Sequence, residues 1–412
     1  MSKPRQPVHC ELPYFPVMDK QLQIGGQSVE QLAQRLGSTP FYAYDRAVID
    51  QRIQALRAVL PDSIRLHYAV KANPMPELVQ HVAQQVDGLD IASRGELTLA
   101  LQTTTDPQHI SFTGPGKSTD ELQAAINSGV ILNIESATEM RRIAGLAAGS
   151  GACPRVTLRV NPDFELKSSG MRMGGGATPF GIDAEQMPAL LKELANLNLA
   201  FWGFHIFAGS QNLRAPAIIE AQNATLALAV RLAEHTPSPV RLLNMGGGFG
   251  IPYFPGEQPL DMKPIGENLA RLAEQAKNAL PDAELALESG RYLVGEAGVY
   301  VCRVLDKKMS RGQIFLVTDG GLHQHLAASG NFGQVIRKNY PVVIGNKIGE
   351  EKTEVVNIVG RLCTPLDLLA SKVELPMAEI GDLVVILQSG AYGLTASPTA
   401  FLSHPAPTEI LL

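Results

Sequence analysis

Cysteine is scarce in this sequence: 412 residues hold four, Cys10, Cys153, Cys302 and Cys363, with no CxxC pair and no metal-ligand spacing. That argues against a disulfide framework or a zinc ribbon and for a reducing compartment. Positive charge is not in excess either, since 35 Lys and Arg face 40 Asp and Glu for a net charge of −5. A basic surface that would neutralise nucleic-acid phosphates is therefore not expected. No run approaches the roughly 20 apolar residues that span a bilayer, and the opening MSKPRQPVHC lacks the apolar stretch of a signal peptide. The expectation is a cytoplasmic protein with no nucleic-acid and no membrane partner. The single tryptophan, Trp202, reads as a core residue, and His323 and His325 lack a second pair of ligands, so no metal is expected.

What is present is order. Eight short apolar runs, 66–72, 89–93, 109–114, 130–136, 155–161, 199–207, 241–247 and 284–289, alternate with amphipathic segments such as 76–86, 119–129, 215–235 and 266–280. Alternation of this kind predicts parallel strands joined by helical crossovers, and eight units predict a closed (β/α)8 TIM barrel over residues 46–292. After Gly298 the texture turns to strands with hardly any helix, which reads as a mainly antiparallel β-barrel or sandwich domain over 293–412. Residues 1–45, with FYAYD at 41–45, are expected to join it. A Gly- and Met-rich stretch, SSGMRMGGGATPFG (168–181), reads as a mobile loop near the site.

Barrel enzymes keep their chemistry at the C-terminal ends of the strands. Reactive residues recur there: Lys71 ends the first unit, Asp90 and Glu96 frame the second, and Arg159 ends the fifth. His205, Phe207 and Ser210 end the sixth, Gly246, Gly247 and Gly248 follow the seventh, and Glu288, Gly290 and Arg291 end the eighth. Singly, each has an ordinary reading: a solvent-facing lysine, a glycine turn, a structural ion pair. Jointly they suit pyridoxal phosphate. A lysine desolvated on an apolar strand has a lowered pKa and forms an imine with an aldehyde. The glycines let backbone N–H groups approach a phosphate, with Ser210, Gly290 and Arg291 completing the cradle. Glu288 beside the pyridine nitrogen keeps it protonated and the ring an electron sink.

The motifs YAVKANP (68–74), DIASRGEL (90–97), GPGKS (114–118), GGGFG (246–250), ESGR (288–291), GRLCTPLD (360–367) and SGAYG (389–393) together resemble the pyridoxal-phosphate-dependent decarboxylases of the ornithine, diaminopimelate and arginine type. These are built on the alanine-racemase-like barrel, and the resemblance runs from about residue 30 to the C-terminus. It implies that Lys71 is the imine-forming lysine and Glu288 the partner of the pyridine nitrogen. It also implies that Arg159 and Asp90 line the cofactor, that Glu96 is a supporting acid, and that Ser210, Gly246–Gly248, Gly290, Arg291 and Tyr392 lie on the phosphate side. Cys363 is implied as the acid that protonates Cα after carbon dioxide leaves, supplied to the partner's barrel across a head-to-tail homodimer. The CTPLD form of the cysteine motif resembles decarboxylases from biosynthetic and exosortase-associated clusters, including some acting on carrier-borne aminoacyl groups.

Three positions depart from the family pattern. GFHIFAGS places Phe207 where a ring-stacking histidine is usual, with His205 two residues earlier on the same strand face. Alignment of TDGGLHQHLAA (318–328) puts Ala327 where diaminopimelate decarboxylases carry a carboxylate-binding arginine, and Thr364 follows Cys363 where an acid grips the distal amine. His205, Thr364 and Asp367 are the candidate substrate residues. The expectation is an α-decarboxylase of an amino acid or carrier-tethered aminoacyl substrate. The alternatives are a diaminopimelate- or ornithine-type enzyme on free substrate, an amino-acid racemase on the same barrel, and a non-catalytic pyridoxal-phosphate carrier. The cysteine motif counts against the racemase and the long β-rich C-terminal region against the carrier.

Overall fold

The computed structural model describes residues 8–165, 171–172 and 174–412. They fall into two compact units, Ile53–Ile251 with Leu260–Gly290, and the residues up to Arg52 with Pro252–Pro259 and Arg291–Leu412.

The first unit holds eight parallel strands: β1 (Ile64–Ala69), β2 (Gly88–Ile91), β3 (Ile110–Phe112), β4 (Ile131–Ile134), β5 (Arg155–Asn161), β6 (Ala200–Ile206), β7 (Leu242–Asn244) and β8 (Glu284–Ser289). Each pairs with its sequence neighbours, and β8 pairs with β1, Glu288 beside His67, so the ring closes as the alternation of strand and helix predicts. The crossover helices carry their own start and stop signals. Thr119–Ser128 begins with a reciprocal capping box between Ser118 and Glu121 and ends at Gly129 in the left-handed region. Pro76–Ala83 opens on proline, whose missing N–H costs nothing in a first turn. β1 stops at Ala69, earlier than the apolar run suggests, because Val70–Ala72 winds into a 3-10 turn that carries Lys71 beyond the strand end.

Barrel lumens are commonly packed with branched aliphatic side chains; here part of the filling is polar. Asn133 on β4 touches the His205 ring on β6, and His205 faces Glu288 on β8. Both contacts join strands that are not neighbours, so they cross the lumen. Asn133 also donates to Thr113 Oγ1 and accepts from Thr157 Oγ1, which satisfies a buried amide that would otherwise be costly. Trp202, expected in the core, packs on Ile131, Leu242 and Ala286 while staying partly exposed.

Of the stretch 168–181, residues 168–170 and 173 lie outside the described residues. Met171–Arg172 is a short strand antiparallel to Gly209–Ser210, so that part is not simply loop.

In the second unit a mixed sheet runs in the order β11 (Val342–Ile344), β14 (Leu383–Ile386), β9 (Gly298–Ser310), β10 (Gln313–Thr318), β12 (Thr353–Val359), β13 (Leu368–Pro376). Pairings along it are antiparallel except β10 with β12. Phe41–Tyr44 adds to β9 antiparallel, and Thr408–Leu411 adds to Phe41–Tyr44 in parallel. β13 carries the weaker strand signal. Its sequence LLASKVELP sets Lys372 and Glu374 among apolar residues, and Lys372 has positive φ, a bulge-like break that blurs the two-residue alternation. No helix among the described residues is long and apolar enough to cross a membrane.

Candidate active site

The C-terminal ends of the barrel strands gather one connected group. Glu288, on β8, is buried, with Oε1 3.9 Å from Lys71 Nζ and Oε2 3.1 Å from His205 Nε2. The second approach is misaligned for a hydrogen bond, so Glu288 Oε2 and His205 Nε2 are both buried without a hydrogen-bond partner among the described residues. Burial pushes the Glu288 pKa up, but the His205 ring, the Lys71 ammonium and the Arg159 guanidinium outweigh it and hold the carboxyl well below the usual carboxylate range. Glu288 is therefore an anion whose Oε2 faces the His205 ring without an aligned hydrogen bond among the described residues.

Lys71 differs from its neighbours in being accessible. Its side chain is 39% exposed, and its Nζ lies 5.6 Å from the centre of the Phe207 ring. Phe207 packs in turn on Gly246, where a Cβ would come within 2.7 Å of the phenyl ring. The glycine turn that follows β7 is tied by Gly246 N–H to Asn244 Oδ1 at 2.8 Å. A Cβ at Gly247 would run into the Glu288 carbonyl, and one at Gly248 into the Gly209 carbonyl. These neighbours are backbone and cannot swing away, so the turn must stay bare. Ser210 lies beside it, in the short Gly209–Ser210 strand, and Gly290 packs with no room for a Cβ against Ala72.

Arg159 on β5 donates to Glu135 Oε1 at 2.7 Å. Glu135 also accepts from the N–H groups of Gly114 at 2.7 Å and Gly181 at 2.9 Å. Burial raises the Glu135 pKa, and Arg159 with these hydrogen bonds brings it below its ordinary value. Glu135 was not among the predicted residues. Its signal was its place at the end of β4, next to the strand that carries Arg159. Asp90 on β2 is buried, 3.5 Å from His67 Nδ1. Burial acts to lower the His67 pKa, but Asp90 turns the balance and raises it. Glu96 folds back to accept the Ala92 N–H at 2.6 Å, and burial raises its pKa against the pull of Lys71.

The remaining predicted residues belong to the second unit. Arg291 donates to the Tyr253 hydroxyl at 2.9 Å and stacks on Tyr392 at 4.5 Å. Cys363 is exposed and Thr364 half-buried, on the turn between β12 and β13. Asp367, a candidate substrate residue, is buried with both oxygens engaged: it accepts the N–H of Leu322 at 2.7 Å and of Leu362 at 2.9 Å. That makes it an anchor of the cysteine turn. His205 likewise points into the lumen toward Glu288. Among the described residues no group of three or more His, Cys, Asp or Glu is arranged to hold a metal ion.

The residues present fit pyridoxal phosphate. An accessible amine stands beside a buried anion whose oxygen has hydrogen-bond capacity to spare, suited to a pyridine N–H, and a turn that excludes side chains suits a phosphate. Residues 46–295 match the family model described as the pyridoxal-binding domain of pyridoxal-dependent decarboxylases. The chain is 39% identical to an L-glutamyl-[BtrI acyl-carrier protein] decarboxylase of Niallia circulans over 90% of its length and 88% of that protein. It is 32% identical to a diaminopimelate decarboxylase of Aquifex aeolicus, over 97% of this chain and 92% of the other. A crystal structure of AQ1208 from Aquifex aeolicus superposes with a TM-score of 0.85 at 30% identity, covering 98% of this chain and 94% of that one. The chain belongs to the pyridoxal-phosphate-dependent decarboxylases of the ornithine, arginine and diaminopimelate type.

Proposed function

We propose that this decarboxylase acts on an α-amino acid with no free distal ammonium, presented as an aminoacyl group on a carrier protein. The observation that carries the reading is the pair Ala327, buried, and Thr364, half-buried, neutral where the diaminopimelate-type motif has an arginine and an acid. Leaving a substrate charge unpaired in a desolvated site costs several kcal/mol, on the order of 2–5, so free diaminopimelate, lysine and ornithine are disfavoured. The relative named for a glutamyl group on an acyl-carrier protein supports the same reading.

Pyridoxal phosphate, when bound, supplies an aldehyde for the substrate amine and a ring that takes up the electron pair left when carbon dioxide departs. Lys71 supplies the amine that holds and releases that aldehyde. Glu288 Oε2 keeps a proton on the ring nitrogen, and His205 fixes the carboxylate from the opposite side of the lumen. Gly246–Gly248 and Ser210 bind phosphate, Phe207 covers one ring face without competing for protons, and Asp90 and Arg159 line the pocket. For Arg291, Tyr392 and Cys363 the roles rest on the family motifs: phosphate binding for the first two, and for Cys363 delivery of the Sγ proton to Cα. The exposure of Cys363 supports its action in a second copy of the chain, as a homodimer with shared sites. Four unpaired thiols support a cytoplasmic setting.

Carbon dioxide release from a glutamyl-loaded carrier protein, measured beside free glutamate, meso-diaminopimelate, lysine and ornithine, tests the substrate. Turnover concentrated on the carrier-borne group is expected. Rapid release from free meso-diaminopimelate would overturn the reading in favour of the diaminopimelate-type activity.

A further inference from the structure

The opposite end of the barrel, where the strands begin, contains a small hollow lined by Arg65, His67, His109, Arg155, Trp202 and Glu284 among others. Of its lining only His67 reaches the decarboxylase site, through Asp90. Its charges are unevenly spent. Arg65 is neutralised, with Nη2 2.6 Å from Glu284 Oε1 and Nη1 2.9 Å from the His109 ring. Arg155 hydrogen-bonds no carboxylate: it donates to Gln108 Oε1 at 2.9 Å and the Gly129 carbonyl at 2.7 Å, both neutral, and the Asp106 carboxylate acts on it only from beyond ion-pair distance. The Trp202 indole has the Arg155 and Arg241 guanidinium carbons each 5.4 Å from its ring centre. At the floor lies His67, buried, whose Nδ1 is taken up with Asp90 while its Nε2 has no hydrogen-bond partner among the described residues.

A buried ring nitrogen left without a partner is unfavourable, and a guanidinium whose hydrogen bonds all go to neutral oxygens keeps donors for an anion. We propose that the N-terminal mouth of the barrel is a second binding site, for a small oxyanion of the carboxylate or phosphate class, held between Arg155 and His67 Nε2. The two groups differ in kind. Arg155 supplies fixed charge and spare N–H donors at the rim, and His67, protonated on both ring nitrogens with Asp90 holding Nδ1–H, supplies a single Nε2–H donor at depth, so an oxyanion with two or more oxygens bridges them where chloride would reach one. Trp202 forms the wall.

Trp202 is the chain's only tryptophan, so its emission reports this mouth alone. The test uses the holoenzyme, whose phosphate cradle is already filled, titrated separately with inorganic phosphate and with acetate at constant ionic strength. A saturable change in Trp202 emission with at least one of them is expected, and which one saturates identifies the class. Arg155→Gln should weaken that binding about tenfold or more, the loss of one charge-assisted contact. The imidazole resonances of His67 in the unaltered enzyme should move along the same saturation curve, a readout that stands even if the variant does not fold. Emission that drifts linearly with both salts, a variant that titrates like the parent, or His67 resonances that stay still would each overturn the site.

Discussion

Glu288 shows how a buried charge is kept. Its carboxylate sits between Lys71 and His205, and without them burial would favour the neutral acid, which could not hold a proton on a pyridine nitrogen. Glu288→Gln keeps the shape and removes the charge; turnover should fall on the order of 10²-fold or more, read by carbon dioxide release at saturating cofactor. The same group makes stability depend on acid. Its folded pKa lies below the ordinary 4.5, so its contribution is fully present above pH 4.5 and is lost as the pH falls toward the folded value. Denaturant unfolding of the apoprotein across that range should be steeper in pH for the native chain than for Glu288→Gln. Lys71 and Glu288 were both legible as strand-end residues of an alternating pattern. The His205–Glu288 approach was not, because it joins strands that meet only across the lumen.

At the scale of elements, the turn after β7 is set by backbone crowding. Gly247→Ala puts a methyl group against the Glu288 carbonyl, and the strain should cost about 1–3 kcal/mol. Denaturant unfolding and a cofactor titration on the same sample should register lower stability and weaker binding together. In the second unit, the Gly321–Ser329 segment is pinned by His325, whose Nε2 lies 2.9 Å from Ser389 Oγ and whose Nδ1 accepts the Ala328 N–H at 3.2 Å. Burial pushes its pKa down to about 3 from 6.5. A depressed histidine stabilises above its unfolded pKa, so this contribution is complete above pH 6.5 and is lost as the pH falls toward about 3. His325→Gln should flatten the acid-unfolding curve followed by circular dichroism over that window, even if it lowers stability at neutral pH. The eight barrel strands and the longer helices were legible from periodicity. β13 was not, since charges and a bulge interrupt its alternation.

For the whole molecule, the exposed position of Cys363 makes the number of chains per site a measurable quantity. Lys71→Ala and Cys363→Ala should each be close to inactive alone. If sites are shared between copies, mixing the two variants and allowing subunits to exchange should restore about a quarter of the native activity, because half the dimers then hold one intact site out of two. A mixture that stays inactive would mean that each chain completes its own site.

Consecutive residues determined the alternation that makes a barrel, the capped ends of its helices, and the motifs that bring an amine, an acid and a glycine turn to the strand ends. Those signals are local, carried by periodicity and by neighbours in the chain. Strand pairing decided the support of Arg159 by Glu135 and the placing of His67 beside Asp90, and ring closure decided the polar lumen and the pairing of His205 with Glu288. These residues lie tens of positions apart; the first two pairs meet because neighbouring strands align in parallel, and the cross-lumen contacts because β8 returns to β1 and brings the inward faces around one axis.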